Sequence, residues 1–404
     1  MRLQAWLLNH PGFKMKKDPL YTLLKKSESV GLLCNQSAWH ARTGQYIFQG
    51  LAKQGRLKKV FFPEHGLFGE LQDQVKTDGT ISYGYLSNDI EWISLYSTTN
   101  QFLTATKDQL EQLDTLIIDL QDAGSRYFTF TSTVWLLLKK ITESGLDITV
   151  LVSDKPNPAG RQVEGTRIGK EYASFIGLEG LPHRHGLTMA ELCRYFKNKL
   201  HAKWELLIIP VDKKDYIFIP PSPNIPTTVT CSLYSGQCLW EGTNISEGRG
   251  TTHPFEIIGA PFLNWVFEEN WNNSRHPAFH VNCFIRPVQF IPVFHKFAGE
   301  TCQGIHLVPR GKKGYHSLAH SLQLINYIKE KTRSFAWRPG QYEAFNDKKA
   351  IELLVGDRVL LDYTEGKIRW TDVKDKLDEE EKGWVKEASP FLVYKSPLQK
   401  LKIK

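Results

Sequence analysis

The stretch "TLIIDLQDAGSRYFTFTSTVWLLLKKITESGLDITVLVSDKP" (residues 115–156) decides the fold. It opens on the apolar run Thr115–Gln121, which is short and ends in polar residues. A loop follows, and then Thr129–Gly145, whose apolar residues recur at helical spacing until Gly145 closes the segment. The stretch ends on a second apolar run, Ile148–Pro156. Strand, helix, strand is a βαβ unit, and near-continuous apolar strands belong to parallel sheets covered on both faces. The same rhythm runs upstream through "VGLLC" (30–34), a helix-like "YIFQGLAKQGR" (46–56), "VFF" (60–62) and "WISLYS" (92–97). Downstream come "HGLTMAELCRYFKNKL" (185–200), with Thr188 and Glu191 as a capping box, and the strand-like "WELLIIPV" (204–211). We expect an α/β protein whose N-terminal domain is Rossmann-like, with a mostly parallel sheet.

Past residue 275 the rhythm is lost. Strand-like "FIRPVQFIPVF" (284–294) and "GIHLVPR" (304–310) precede one clear helix, "SLAHSLQLINYIKEK" (317–331). The charged run "DKLDEEEKGWVKE" (375–387) reads as a solvated helix. We expect two domains, residues 1–275 and a smaller α+β domain over 276–404.

A chain of 404 residues is long enough for two cores. Hydrophobic content of 41% and charged content of 23% are those of a globular protein. The net charge of +8 is scattered, apart from pairs such as Lys16-Lys17 and Lys312-Lys313, so nucleic acid is not an expected partner. No apolar run is long enough for a membrane span. The apolar stretch Ala5–Leu8 is too short for a signal-peptide core, which points to the cytoplasm; a periplasmic or secreted location would require an export signal trimmed from this sequence. Cys34, Cys193, Cys231, Cys238, Cys283 and Cys302 form no C-x-x-C pair, so buried free thiols are expected and a metal is not. No phosphate loop, dinucleotide fingerprint or nucleophile elbow appears, and no cofactor is expected.

Polar residues gather where strands end. Asn35 follows the first, Glu64 and His65 the second, Asp119 and Asp122 the fourth, and Asp154 the fifth. Open α/β sheets bind ligands outside the carboxyl ends of their strands. "FFPEHGLFGE" (61–70) crowds Glu64, His65 and Glu70 beside two glycines, more than a turn requires. "LQDAGSRYF" (120–128) brings Asp122, Arg126 and Tyr127 to a helix start, where anions are favoured. "LPHRHG" holds His183 and His185, and the loops "PSPNIPT" (221–227) and "EGTNISEGRGTTHPFE" (241–256) hold Asn224, Glu241, Asn244, Glu247 and Arg249. Glycoside hydrolysis usually needs two carboxyl groups. Glu64, Glu70, Asp119, Asp122, Asp154, Glu164, Glu241 and Glu247 are all available, too many to pair by spacing.

Taken in order, "GLLCNQSA", "FFPEHGLFGE", "IIDLQDAGSRYFTF", "DKPNPAGRQVEG", "GLEGLPHRHGLTMAEL", "PSPNIPT" and "EGTNISEGRGTTHPFEIIGAPF" resemble the NamZ family (DUF1343, glycoside hydrolase family 171). The resemblance reaches a C-terminal "FLVY" (391–394). Lys155 stands where the family usually has Arg, and Ala190 where it commonly has Gly; neither is expected to touch the acidic candidates. The resemblance implies a Rossmann-like domain, a smaller second domain and a cleft between them. It also implies an exo-β-N-acetylmuramidase acting on peptidoglycan-derived sugar, with the "PEHG" glutamate at Glu64. Glu64, His65, Glu70 and Asp119 are the catalytic candidates. Asn35, Asp122, Arg126, Tyr127, Glu164, His185, Asn224, Glu241, Asn244, Glu247 and Arg249 are the substrate-binding candidates, with Arg126 or Arg249 for the lactyl carboxylate. A non-catalytic peptidoglycan-fragment binder is the alternative reading; an amidase or esterase would need a nucleophile elbow or metal-ligand spacing that is missing.

Overall fold

The computed structural model describes residues 24, 27–72, 89–97, 103–212, 214–272, 282–311, 314–343, 346–401 and 403. Ala5–Leu8 and the expected boundary at residue 275 lie outside them. Six strands form one parallel sheet. In chain order they are β1 (Val30–Cys34), β2 (Leu57–Phe62), β3 (Glu91–Ser94), β4 (Thr115–Asp119), β5 (Thr149–Asp154) and β6 (Leu206–Pro210). Side by side they run β3-β2-β1-β4-β5-β6, every neighbour parallel. This is the doubly wound order: the chain starts mid-sheet, walks to one edge, then restarts from the middle.

Alternation along the strands explains the two covered faces. Leu32, Val60, Ile117 and Leu151 enter one core, together with Ile47, Phe48 and Leu51 of α1 (Ile47–Ala52). Their neighbours Leu33, Phe61, Ile118 and Val150 enter the other, beneath α2 (Phe130–Glu143) and α3 (Met189–Lys199). The expected capping box starts α3: Thr188 Oγ1 accepts from the Glu191 amide and Glu191 Oε2 from the Thr188 amide.

A smaller antiparallel sheet follows, built from β7 (Ile257–Ala260), β8 (Cys283–Phe290) and β9 (Cys302–Pro309) in the order β7-β9-β8. The second half of the chain also carries α4 (Thr228–Gln237), α5 (Ser317–Lys331), α6 (Ala350–Val355) and α7 (Trp370–Ala388). The solvated-helix reading of α7 needs correction. Val373, Leu377, Glu381, Trp384 and Ala388 form a buried stripe at helical spacing. Trp384 Nε1 donates to His185 O at 2.9 Å, and Glu381 accepts from the Gly165 amide at 2.9 Å and from His316 Nε2 at 2.7 Å. All six cysteines are free and buried, as expected. Among the described residues no helix is long and apolar enough to cross a membrane.

Candidate active site

β2 ends at Phe62, and Pro63 then turns the chain across the carboxyl edge of the sheet. His65 takes the left-handed conformation (φ 76°), unusual for a side chain with a Cβ and a form of strain that collects at functional sites. Its Nδ1 donates to Leu71 O at 3.0 Å and its carbonyl accepts the Leu71 amide at 3.0 Å, closing the loop. In the neutral ring, that bond puts the proton on Nδ1 and the lone pair on Nε2. Gly66 (φ 83°) takes a backbone conformation that side chains with a Cβ rarely adopt, and the Glu70 carboxylate folds over it. Glu64 is 7% exposed, and its Oε2 accepts from Thr129 Oγ1 at 2.7 Å.

Glu64 and His65 share a cavity of about 50 Å³ with Tyr127, Thr129, Asn224, Tyr234, Glu241, Arg249 and Tyr342. The far wall comes from the second half of the chain. Glu241 lies in the 3-10 turn Cys238–Gly242 that continues from α4. Its Oε1 accepts from Arg249 Nη2 at 2.8 Å and its Oε2 from the Tyr342 hydroxyl. Burial, followed by the Glu241 charge, pushes the Tyr342 phenol well above its ordinary range, so it stays a proton donor to that carboxylate. Tyr127, Phe128, Tyr234 and Phe255 pack edge-to-face as an aromatic floor. Asn224 Nδ2 donates to Gln72 Oε1 at 2.9 Å, tying the proline-rich loop to the Glu64 loop.

Other candidates are held elsewhere. Arg126 is fully buried; its guanidinium donates to the carbonyls of Thr166, Leu354 and Val355, each at 3.0 Å, and to His183 Nε2 at 3.0 Å. Burial lowers it to about 10 and drives His183 well below its ordinary range, so a charged arginine meets a neutral imidazole. This arginine ties loops together and does not line the cavity. Asp119 meets Lys155 Nζ and, at 3.1 Å, His40 Nε2. Against burial, the Lys155 charge and the contact with His40 hold its carboxyl below the ordinary range, which ill suits a proton donor. Lys155 therefore does touch an acidic candidate, contrary to expectation.

Glu70 is exposed and accepts the Phe68 amide at 2.9 Å. Asn35 caps its own turn through the Ser37 amide, and Asp122 caps the next loop through Gly124 N and Thr131 Oγ1. Glu164, fully buried, takes Arg184, Ser235 and the Leu318 amide. His185 accepts the Leu187 amide, and Asn244 pairs with the Ser334 and Ala336 backbone. Glu247 stands behind Arg249, 3.3 Å from its Nε and 2.9 Å from Lys296. Despite its burial, Lys296, His295 and Arg249 hold it far below the ordinary carboxyl range. Thr129 and Tyr342, which bond the two carboxylates, are among the lining residues that sequence reasoning missed, with Ser222 and Tyr234. Thr129 reads as part of a helix, and Tyr342 lies in a short strand far along the chain.

A larger cavity, about 150 Å³, lies at the carboxyl ends of β1, β5 and β6, lined by Trp39, His40, Lys155, Asp212 and Tyr216 among others. Volume does not choose the site, since a third cavity of about 550 Å³, lined by Arg194, Lys197 and His201 among others, is larger still and has no carboxylate in its lining; chemistry favours the Glu64 cavity. Behind the cavity of about 150 Å³ the buried carboxylate, Asp119, is taken up by Lys155 and His40, which themselves line the cavity. At the smaller one two carboxyl groups face a common space in different settings, Glu64 under a hydroxyl and Glu241 beside a guanidinium. Such asymmetry is what separates an acid from its partner.

Two family descriptions match in tandem: "Exo-beta-N-acetylmuramidase NamZ, N-terminal" over residues 30–229 and its C-terminal counterpart over 232–394. The chain is 35% identical over 283 residues to the peptidoglycan beta-N-acetylmuramidase NamZ of Bacillus subtilis (strain 168), a match covering 68% of this chain. The matched stretch is 66% of that relative's length. Crystal structures of two DUF1343 family proteins from Bacteroides fragilis NCTC 9343 share the fold. One aligns with a TM-score of 0.73 at 21% identity, the other with 0.67 at 23%, each over 93% of this chain and 96% of its own. The "PEHG" loop, the doubly wound sheet and the tandem matches agree: the chain belongs to the NamZ family.

Proposed function

We propose that this chain is an exo-β-N-acetylmuramidase, which hydrolyses the β-1,4 bond and releases N-acetylmuramic acid from the non-reducing end of peptidoglycan fragments such as MurNAc-GlcNAc. The observation that carries this reading is the meeting of Glu64, Glu241 and Arg249 in one cavity of a NamZ-family chain. Glu64 is the general acid: as the C1–O bond breaks, its proton passes to the departing N-acetylglucosamine oxygen. Glu241, fixed by Arg249 and Tyr342, is the partner carboxylate and accepts a proton, either from a water whose oxygen attacks C1 or from the N–H of the substrate's acetamido group as its carbonyl oxygen attacks C1. Arg249 is the one arginine among the described lining residues, and a guanidinium suits the lactyl carboxylate that distinguishes muramic acid. Tyr127 and Asn224 shape the sugar's seat, and His65 offers Nε2 to a sugar hydroxyl.

Incubation with para-nitrophenyl N-acetylmuramide and with the N-acetylglucosamine analogue tests the reading. Nitrophenol should come from the first alone. Equal release from both would remove the lactyl group from recognition, and release from neither would favour the non-catalytic binder.

A further inference from the structure

Away from this cavity, His253, Glu256 and His306 converge. His253 ends the loop that carries Arg249, Glu256 directly precedes β7, and His306 lies in β9 opposite Ile257. Glu256 Oε2 is 3.3 Å from His253 Nδ1 and 3.8 Å from His306 Nε2. One donor atom from each of the three residues lies within 4.8 Å of the others, the one such group among the described residues. Zinc bonds nitrogen and oxygen at about 2.0–2.1 Å, which sets tetrahedral ligand atoms ~3.3 Å apart. The three donors need only small side-chain movements to reach that spacing.

The surroundings resemble the outer shell of a metal site. Glu256 Oε1 accepts from Thr227 Oγ1 at 3.0 Å and Thr230 Oγ1 at 2.6 Å. Those hydroxyls fix the carboxylate with Oε2 turned to the imidazoles, the kind of support that orients metal-binding carboxylates. The His253 side chain is 51% exposed, so a fourth position can open to water. One neighbour opposes loading: Arg286 Nη2 lies 3.0 Å from His306 Nδ1. That bond makes Nδ1 the acceptor and leaves the proton on Nε2. Loading requires the His306 proton to move from Nε2 to Nδ1, the His253 proton that faces the Glu256 carboxylate to move from Nδ1 to Nε2, and the exposed Arg286 to swing away, with no net proton released.

The geometry points to a zinc site formed by His253 Nδ1, Glu256 Oε2 and His306 Nε2, contrary to the expectation of no metal. Its place in the fold gives it a role. Thr227 caps α4, which leads to Glu241. Between Arg249 and His253 runs the loop whose neighbours Gly248 (φ 82°), Gly250 (φ 78°) and Phe255 (φ 58°) are all left-handed. A bound ion joins this loop to the start of α4 and to β9. It would hold Arg249 and Glu241 in register without touching substrate. Metal binding itself does not depend on the glycosidase reading.

Full-length protein stripped with a chelator and titrated with zinc chloride in a calorimeter should take up about one zinc per chain. Cobalt(II) in its place should give the visible absorption of a four- or five-coordinate nitrogen/oxygen site. His253→Ala, at an exposed position, should fold and lose at least about tenfold in zinc affinity, as removal of a supporting or direct ligand does. His306→Gln should do the same, and Arg286→Ala should tighten binding. Zinc should raise the unfolding midpoint of the wild type and, at the same concentration, raise that of His253→Ala distinctly less. Absence of stoichiometric uptake, or unaltered affinity in His253→Ala, overturns the site.

Discussion

Replacing Arg249 with alanine separates a substrate contact from a structural brace. Its side chain is 9% exposed and lies between Glu241, at 2.8 Å, and Glu247, at 3.3 Å. Breaking a buried ion pair typically costs about 3–5 kcal/mol. Here the loss should fall at the low end. Glu247 keeps Lys296 at 2.9 Å and His295 at 3.2 Å, and Glu241 keeps the Tyr342 hydroxyl. The protein should therefore fold. Removing one partner of a desolvated charge pair costs binding roughly 2–5 kcal/mol, or about 30-fold to several-thousand-fold in kcat/KM. The assay is a cycle of two enzymes and two substrates: wild type and Arg249→Ala, each with the aryl N-acetylmuramide and its lactyl methylamide. If Arg249 holds the carboxylate, wild type should discriminate strongly against the amide and the variant hardly at all, giving a coupling of at least about 2 kcal/mol. If Arg249 only braces the two glutamates, the variant loses equally on both substrates and the coupling vanishes. That result would refute the assignment.

Arg126→Met should instead act on folding. It strands several buried carbonyls at about 1–3 kcal/mol each, so urea unfolding should shift by several kcal/mol while KM of the folded fraction is unchanged. Glu70→Gln keeps the bond to the Phe68 amide and should alter stability by less than about 0.5 kcal/mol, with turnover near normal. Burial raises the Asp154 carboxyl from 3.8 to about 6, in spite of hydrogen bonds from Tyr394, the Ala190 amide and Thr188. A raised carboxyl pKa means that the folded state keeps its proton longer. The contribution favours folding at low pH and is lost as pH rises from about 4 to about 6, by up to about 3 kcal/mol. The unfolding free energy of wild type minus that of Asp154→Asn should fall across that window, and a flat difference would contradict the assignment.

The parallel strands were legible because burial on both faces demands uninterrupted apolar residues. The start of β2 was hidden by Lys58 and Lys59, the second of which reaches Glu91 on the neighbouring strand at 3.4 Å. Glu64 and Arg249 could be picked out because loops that need glycine and also carry charge are unusual. Arg126 gave the same local signal and misled, since its partners at Leu354 and Val355 come more than two hundred residues later. Gly356 also leaves room there: a Cβ would sit 2.7 Å from the guanidinium. No local pattern reports such a long-range fit. In α7 the charged residues masked the stripe, because Glu381 occupies one of its inward positions. Tyr342 and Thr129 were missed for a simpler reason: each becomes a site residue only when the second half of the chain, or the start of α2, is folded against the Glu64 loop.

The turnover of Glu64→Gln on MurNAc-GlcNAc tests the central claim most directly. Glutamine keeps the shape and the hydrogen bond from Thr129 but has no proton to give. The variant should fold, bind the disaccharide and turn it over at least about a hundredfold more slowly, with a much smaller loss on an aryl glycoside whose leaving group needs no protonation. A folded Glu64→Gln protein that cleaves the disaccharide at near wild-type rate would contradict the account.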